Sequence, residues 1–306
     1  MLTKVKGGMG DRRRKRLIFY SLMIIWPVVW WLVFYLYLNL DNIVKAFSTY
    51  NGRTYEWFGI QNFVNVFRSL LHEEVLVYAL KNSITVYFIG FGAGLLLGQI
   101  FSFYVYKGLA GTKFFRTILF LPSIVPAIAF VLCFKYMTDR VIPFISLHFF
   151  DKPMDGLLSS SDTAFPTLVF YFFWQSFAGS TVIYSNAMMN NVDPSVTEAA
   201  LLDGATAIQE YFYITLPLIF PTMQIFLISD IGAILTNQLN VYSFFGNSAD
   251  PKTYMMGYYT FVQNLQSTSA TVPYLAALNL VIGILPLPII YLVKGITDKK
   301  IDSMMQ

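Results

Sequence analysis

Charged residues are scarce in this sequence. Asp, Glu, Lys and Arg make up 12% of its 306 residues, whereas an ordinary soluble domain contains roughly 25%. Hydrophobic residues account for 56%, so the composition excludes an ordinary soluble protein and indicates a chain that lies in a bilayer. A chain of this length accommodates one membrane domain of several spans, with little left for a separate soluble domain.

Cysteine and histidine are nearly absent, and familiar catalytic motifs are missing. The single cysteine, Cys133, lies in an apolar run, so no intrachain disulfide can form, and we expect a buried, inert thiol. His72 and His148 fall in predicted external loops, and the sequence contains no H-E-x-x-H, G-x-S-x-G or G-x-x-x-x-G-K-[ST] motif. We therefore predict no enzyme, no catalytic residue, no metal site and no cofactor bound by this chain.

The positive charge is concentrated at one end of the chain. Residues 1–16 hold seven of the 21 Lys and Arg, including the run from Arg12 to Arg16. Nucleic-acid binding is not expected, because the basic residues do not line one structured face. Such a cluster is typical of the cytoplasmic side of a first membrane span.

Six apolar segments are long enough to cross a bilayer, so we predict an all-α integral membrane protein with six transmembrane helices. The predicted spans are 17–38, 77–106, 114–137, 163–185, 218–241 and 272–293. Both termini then lie on the cytoplasmic side, together with 13 of the 21 Lys and Arg, in agreement with the positive-inside rule. The predicted parts are a basic N-terminus (1–16), the first span with an external loop (17–76), a core of five spans (77–294) and a cytoplasmic tail (295–306).

Small residues recur every four positions along the second span, at Gly90, Gly94, Gly98 and Ser102. This spacing places them on one helix face, where a neighbouring helix can approach closely, so we predict a packing face. The adjacent Gln99 is predicted to hydrogen-bond a neighbouring helix.

Two other spans contain residues that are costly inside a bilayer. Pro122 and Pro126 remove backbone hydrogen bonds from the third span and predict a kink. Asp230 in the fifth span could face a cavity, pair with another subunit or stay protonated, and the sequence leaves these alternatives open.

A polar loop at about 186–217 separates the fourth and fifth spans, and the predicted topology places it in the cytoplasm. Its second part reads E-A-A-L-L-D-G-A-T-A-I-Q-E-Y-F-Y-I-T-L-P. We predict two short helices joined at Gly204, which adopts a left-handed backbone conformation without a steric penalty. Glu198 near the start of the first helix suits the positive end of the helix dipole.

Four acidic residues lie in this loop, and they could be interpreted as a metal site. They are Asp193, Glu198, Asp203 and Glu210. Their separation over two helices favours caps, first-turn charges and surface charges instead.

The loop resembles the cytoplasmic loop of the permease subunits of ABC importers, which carries E-A-A-x-x-D-G-A before an apolar stretch ending in L-P. The matching positions are Glu198, Ala199, Ala200, Asp203, Gly204, Ala205, Phe212, Ile214, Leu216 and Pro217. The resemblance implies that the first six belong to a coupling helix that docks on an ATPase subunit. It implies that the last four anchor the hairpin to the membrane domain.

The resemblance also implies the type I ABC importer permease fold and a place in a bacterial cell membrane, in contact with lipid. The implied partners are a second, homologous permease that completes a heterodimer, two ATPase subunits that bind ATP and Mg, and an extracytoplasmic solute-binding protein. The sequence fits best in the carbohydrate-uptake branch, so an oligosaccharide is the expected solute. A polyol or a glycerol phosphate is the alternative within the family.

Hydroxyl, amide and aromatic side chains around the fourth and fifth spans are candidates for the substrate pathway. Sugars need polar groups for their hydroxyls and aromatic surfaces for their apolar faces, and in the carbohydrate branch these regions line a cavity. The candidates are Tyr171, Trp174, Gln175, Ser176, Ser180, Asn237 and Tyr242. Each also suits a packing role between helices, and both interpretations stay open.

Two hypotheses from other functional classes compete with an importer subunit. A secondary transporter would use Asp230 for ion coupling and would need no ATPase, but it leaves the loop motif unexplained. A membrane-embedded enzyme would need a convergent catalytic set, which the sequence does not display.

Overall fold

The computed structural model describes residues 9–177 and 182–305, which are mostly helical. Two compact units divide the chain. One comprises Met1–Asn65 and Ser267–Leu280, and the other comprises Val66–Gln266 and Val281–Gln306.

A long apolar helix begins the first unit. It consists of α1 (Met9–Trp30), a π-helical stretch (Trp31–Tyr37) and α2 (Leu38–Ala46). The helix therefore continues well beyond the predicted end of the first span at residue 38. An ion pair between Lys45 and Asp41, four residues apart and 2.5 Å long, supports this extension.

A small antiparallel sheet follows the first helix. It pairs β1 (Ser48–Tyr50) with β2 (Tyr55–Trp57) across a turn that contains an Asn-Gly sequence. Gly52 in this turn has a φ of +95°, and Asn-Gly is the strongest short-range signal for a hairpin. This short hairpin is the departure from the all-α prediction within the described residues, and it forms because the Thr, Tyr and Trp residues on either side of the turn favour strands.

The other helices lie in chain order after the sheet. They are α3 (Gln61–His72), α4 (Glu74–Val86), α5 (Gly94–Tyr106), α6 (Thr112–Ile124), α7 (Ala127–Tyr136), α8 (Ile142–Phe150), α9 (Ser161–Gln175), α10 (Val182–Met189), α11 (Pro194–Leu202), α12 (Ala207–Glu210), α13 (Leu216–Ala233), α14 (Val241–Phe245), α15 (Met256–Leu265), α16 (Val272–Ile284) and α17 (Leu287–Met305). Three π-helical stretches connect α4 to α5 (Tyr87–Ala93), α7 to α8 (Met137–Val141) and α12 to α13 (Tyr211–Thr215), and a 3₁₀ turn (Pro251–Thr253) precedes α15.

Four continuous helices in the described part of the chain are long and apolar enough to cross a membrane. They are Arg13–Ala46, Glu74–Tyr106, Ala207–Ala233 and Val272–Ile301. These helices correspond to the first, second, fifth and sixth predicted spans. The third predicted span is interrupted at Val125 and Pro126, where a kink was expected. The fourth runs through residues 178–181, which lie outside the described residues.

The fifth span ends earlier than predicted. Helix α13 stops at Ala233 instead of near residue 241, and Leu239 and Asn240 have positive φ values of 51° and 61°. The Asn237 side chain accepts a hydrogen bond of 2.9 Å from the Leu239 amide, so this polar segment forms a local turn instead of another helical turn. A Cβ at Gly257 would lie 2.6 Å from the Asn237 carbonyl oxygen, so the turn requires glycine beside it.

The small residues of the second span form a contact face, as predicted. A Cβ at Gly94 would lie 3.2 Å from the Ser176 hydroxyl, and one at Gly90 would lie 4.0 Å from the Phe173 amide. The Gln99 amide donates a hydrogen bond of 2.5 Å to Ser185 on α10. The packing face and the interhelical amide bond are both confirmed.

Cys133 is exposed on α7, so the prediction of a buried thiol is wrong. The residues around Cys133 on α7 are apolar until Lys135, so hydrophobicity alone does not distinguish a core position from a membrane-facing one there.

Candidate functional site

Helix α11 begins at a capped and charged N-terminus. The Asp193 carboxylate accepts a hydrogen bond of 2.9 Å from the Ser195 amide, and Pro194 occupies the first helical position. The backbone donor at Ser195 lowers the pKa of Asp193. Asp193 therefore takes the place at the helix dipole that we predicted for Glu198, which lies in the second turn because α11 starts four residues before it.

The end of α11 is a tight reversal centred on Gly204. This residue has a φ of +78°, and its amide donates to the Leu201 carbonyl at 3.1 Å. The Ala205 amide donates to the Ala200 carbonyl at 3.0 Å. Together these bonds form a Schellman motif with glycine at the left-handed position. The predicted turn residue is confirmed.

The second helix of the hairpin is secured at its start. The Thr206 hydroxyl accepts a hydrogen bond from the Gln209 amide, and the Gln209 side chain accepts one of 2.9 Å from the Thr206 amide. This reciprocal pair is a capping box. Its T-x-x-Q sequence, from Thr206 to Gln209, is the signal in the sequence that marks this helix start. Helix α12 then continues without interruption into α13.

The inner side of the hairpin is held by a buried ion pair. Glu210 is 1% exposed, and its two carboxylate oxygens accept hydrogen bonds of 2.7 and 2.6 Å from Lys107, the residue after α5. Glu210 is therefore a first-turn charge of α12, one of the predicted roles for the four acidic residues, but it is buried instead of exposed. The partner lies 103 residues away in the chain, which local sequence patterns do not predict.

Apolar packing adds to the attachment made by this ion pair. We call the following buried residues the hairpin cluster: Met189, Val192, Tyr211 and Ile219. The Tyr211 ring lies 5.0 Å from the Phe103 ring on α5, measured between centroids. Tyr211 and Phe103 therefore extend the attachment of the hairpin to the end of α5.

The four predicted anchors contribute unequally to this attachment. Leu216 is half-buried and packs against the hairpin cluster, while Ile214 and Pro217 are half-buried beside it in the chain. Phe212 is 56% exposed and lies outside the cluster. The helical turn directs Tyr211 inward and Phe212 outward, so the anchoring role of Phe212 stays a prediction.

The outer side of the hairpin is exposed. Glu198, Ala199, Asp203 and Gly204 are accessible, and Leu202 has 90% of its surface exposed. Ala205 is half-buried and Ala200 is buried. The hairpin therefore presents one free surface and one attached surface.

The candidate pathway residues are only partly brought together. Gln175 on α9 accepts a hydrogen bond of 3.4 Å from the Asn240 side chain. Tyr171 is fully buried in an aromatic core, and Trp174 packs against Phe130 at 5.1 Å between ring centroids. These contacts place polar and aromatic groups of α9 beside the turn that follows α13.

The remaining candidates lie apart or have local roles. Ser176 packs on Gly94, and Asn237 is exposed and caps its own turn. Tyr242 makes an edge contact with Phe261 at 5.0 Å. Ser180 lies outside the described residues.

A cavity of about 740 Å³ lies elsewhere, where α7 meets the segment before α9. Its charged lining consists of Lys135, Asp139, Arg140 and Asp155. None of the described candidate pathway residues lines it. Asp230 is exposed on α13, away from this cavity.

Residues 90–302 match a family model described as the inner membrane component of binding-protein-dependent transport systems. The match covers more than two thirds of the chain. The chain belongs to this family. With its long apolar helices, it is a multi-pass membrane protein.

Several relatives are permease subunits. A probable ABC transporter permease protein of Mycoplasma pneumoniae is 32% identical over 177 residues, which cover 56% of this chain and 52% of that protein. This chain thus spans about half the length of that relative. The MsmF permease of the multiple sugar-binding transport system of Streptococcus mutans is 22% identical over 265 residues, covering 86% of this chain and 89% of that one. The UgpA permease of the sn-glycerol-3-phosphate transport system of Salmonella typhimurium is 28% identical over 172 residues, 56% of each chain.

A solved structure has the same fold. It is the crystal structure of a bacterial ABC transporter involved in the import of the acidic polysaccharide alginate, and one of its chains aligns with a TM-score of 0.73. The alignment covers 94% of this chain and 98% of that chain at 22% identity. This chain therefore has the ABC importer permease fold.

Proposed function

We propose that this chain is a permease subunit of an ATP-driven, binding-protein-dependent importer in a bacterial plasma membrane. It forms half of the translocation pathway for a carbohydrate, an oligosaccharide by preference, and couples to an ATPase through the hairpin of α11 and α12. The observation that carries the proposal is the hairpin itself. Its inner side is attached to α5, and its outer side is free to receive a partner.

The proposed topology has six transmembrane helices, with both termini and the hairpin in the cytoplasm. Four spans are supported by continuous apolar helices. We assign the third to α6 and α7 across the break at Pro126, and the fourth to the segment from α9 to α10. The arrangement of Lys and Arg supports this orientation.

The proposed docking surface is the coupling helix α11 and its turn. Glu198, Ala199 and Asp203 are exposed there, and Leu202 projects almost its entire side chain outward. An exposed leucine at the tip of a hairpin suits an apolar pocket on a partner, because removing its apolar surface from water is favourable. In this proposal two ATPase subunits bind ATP and Mg, and this chain binds neither.

The proposed solute and the remaining partners follow from the family and its members. The family description names binding-protein-dependent transport, which supports an extracytoplasmic solute-binding protein as a partner. A second, homologous permease is proposed from the resemblance of the loop alone. The similarity to the MsmF permease of the sugar system of Streptococcus mutans supports a carbohydrate as the solute. The similarity to the UgpA permease supports sn-glycerol 3-phosphate as the alternative solute.

Co-purification tests the ATPase coupling. The tagged chain is extracted from native membranes in mild detergent, and co-purifying proteins are identified by mass spectrometry. We expect a P-loop ATPase in the wild-type sample and its loss with Leu202→Asp. Leu109→Asp is the matched control, because Leu109 is also exposed, at 53%, in the loop after α5. Recovery of the ATPase with Leu202→Asp at the wild-type level would contradict docking through this surface.

The solute and the competing mechanism are tested separately. The co-purified binding protein is titrated with oligosaccharides and with sn-glycerol 3-phosphate by calorimetry, and tight binding of the phosphate alone would favour the alternative solute. Transport by the chain alone in liposomes, abolished by Asp230→Asn, would replace the importer with a secondary transporter.

A further inference from the structure

The ion pair between Lys107 and Glu210 joins two parts of the chain that lie 103 residues apart in the sequence. Lys107 follows the last residue of α5, and Glu210 is the last residue of α12. Both carboxylate oxygens of Glu210 accept hydrogen bonds from the ammonium group, and the carboxylate is almost fully buried. A buried carboxylate is stable only when its charge is compensated, so this contact cannot open without a large cost.

Neighbouring contacts join the same two parts. The Lys107 ammonium group lies 5.8 Å from the centroid of the Phe103 ring, and that ring packs on Tyr211. Deeper in the membrane domain, α5 is tied to α10 by the Gln99 bond to Ser185. The end of α5 is therefore attached both to the hairpin and to the helix that leads into it.

Covalent connectivity gives the hairpin two routes to the spans, through α10 before it and through α13 after it. Neither route passes through α5. A displacement of the hairpin reaches α5 only through non-covalent contacts. Among the contacts of the described residues between the hairpin and α5, the ion pair combines charge with directionality.

We propose that Lys107 and Glu210 are positioning residues that clamp the hairpin to α5, so that movement of the hairpin at the ATPase moves the second span with it. This inference rests on the proposed function, because it assigns a route by which coupling passes from the hairpin to the membrane domain. Loss of the clamp leaves docking intact and weakens coupling.

Charge reversal tests the clamp in the complex purified from native membranes. The variants are Lys107→Glu, Glu210→Lys and the double exchange, with Lys113→Glu as the control, since Lys113 is exposed and forms no ion pair among the described residues. The first readout is the amount of ATPase recovered with the permease. The second is the stimulation of ATP hydrolysis by the co-purified binding protein, which a purely structural contact would not change in an assembled complex.

We expect each single reversal to retain the ATPase and to reduce the stimulation by about tenfold, within the range for coupling between two sites. The double exchange restores stimulation, and the control behaves as wild type. Wild-type stimulation in both single variants, or a double exchange that assembles but stays uncoupled, would overturn the proposal.

A double variant without either charge tests the proposal if the single reversals do not accumulate in the membrane. Lys107→Gln combined with Glu210→Gln removes both charges and leaves no uncompensated one. The proposal expects reduced stimulation from this pair, and full stimulation would overturn it. If wild type recovered no ATPase at all, the proposed function would fail instead of the clamp.

Discussion

Replacement of Gly204 by alanine isolates the backbone contribution to the hairpin. A Cβ at this position would meet no atom within 4 Å, so alanine brings no steric collision with the rest of the chain. The φ of +78° is nevertheless unfavourable for any residue with a Cβ, by about 1–2 kcal/mol. This energy corresponds to an increase of roughly 5- to 30-fold in the population of opened turns.

Hydrogen exchange measured by mass spectrometry reports this opening directly. The amides of Gly204 and Ala205 are both bonded in the closed turn, so peptides covering them should exchange faster in Gly204→Ala. Gly204→Asn should change exchange less, because asparagine tolerates the left-handed conformation. Gly204→Pro should change it most, because proline lacks the donor and fixes φ near −65°.

A helical glycine provides the control for this series. A Cβ at Gly283 would also meet nothing within 4 Å, but Gly283 has no positive φ. Gly283→Ala should therefore leave exchange around the hairpin unchanged and should not loosen α16. Equal exchange in the glycine and alanine forms at position 204 would refute the argument, as would faster exchange with asparagine than with alanine.

Three further predictions concern other parts of the structure. Gly257→Ala should greatly reduce the amount of folded protein measured by size-exclusion chromatography, because the new methyl group would collide with the carbonyl of Thr236; normal accumulation would contradict this close packing. Asp193→Ala should speed hydrogen exchange at the start of α11, whereas Asp193→Asn should retain most of the protection, because asparagine keeps the capping acceptor. The Ser161 hydroxyl and a backbone amide donate hydrogen bonds to Asp250, and they lower the pKa of its carboxyl group. The ionised carboxylate therefore stabilises the folded protein above the unfolded pKa of about 3.9. This stabilisation is lost as the pH falls through the lower pKa of the folded protein. Ser161→Ala should lower the melting temperature at pH 7 but not at a pH below both pKa values, and an equal loss at both would contradict this assignment.

Features that depend on neighbouring residues could be predicted from the sequence. The reversal at Gly204 follows from the preference of glycine for the left-handed conformation, and the contact face at Gly94 follows from helical spacing. The sheet after α2 was missed although its Asn-Gly turn was visible, because membrane composition favoured helices everywhere. The early end of α13 was missed because apolar residues continue past Ala233 and the polar turn that follows is only a few residues long.

Features that depend on distant parts of the chain could not be predicted. Glu210 belongs to a segment whose other acidic residues are accessible, and only the fold brings Lys107 to it. Tyr211 and Phe212 are adjacent aromatic residues, and their opposite exposure follows from how α12 sits against α5. Sequence patterns identify which residues an apolar face contains, but they do not identify the surface that covers it.

The hairpin shows how these two kinds of information combine. Its internal angle is fixed locally, by the Schellman motif at Gly204 and the capping box at Thr206. Its position is fixed by contacts with α5, chiefly through Glu210 and Tyr211. A movement of the hairpin tip would not reach α5 if the inner side of the hairpin were unattached. Little of the movement would reach α5 if the turn at Gly204 deformed easily. In the proposed coupling, a displacement at Leu202 would therefore pass through a closed turn and an attached base to the membrane helices.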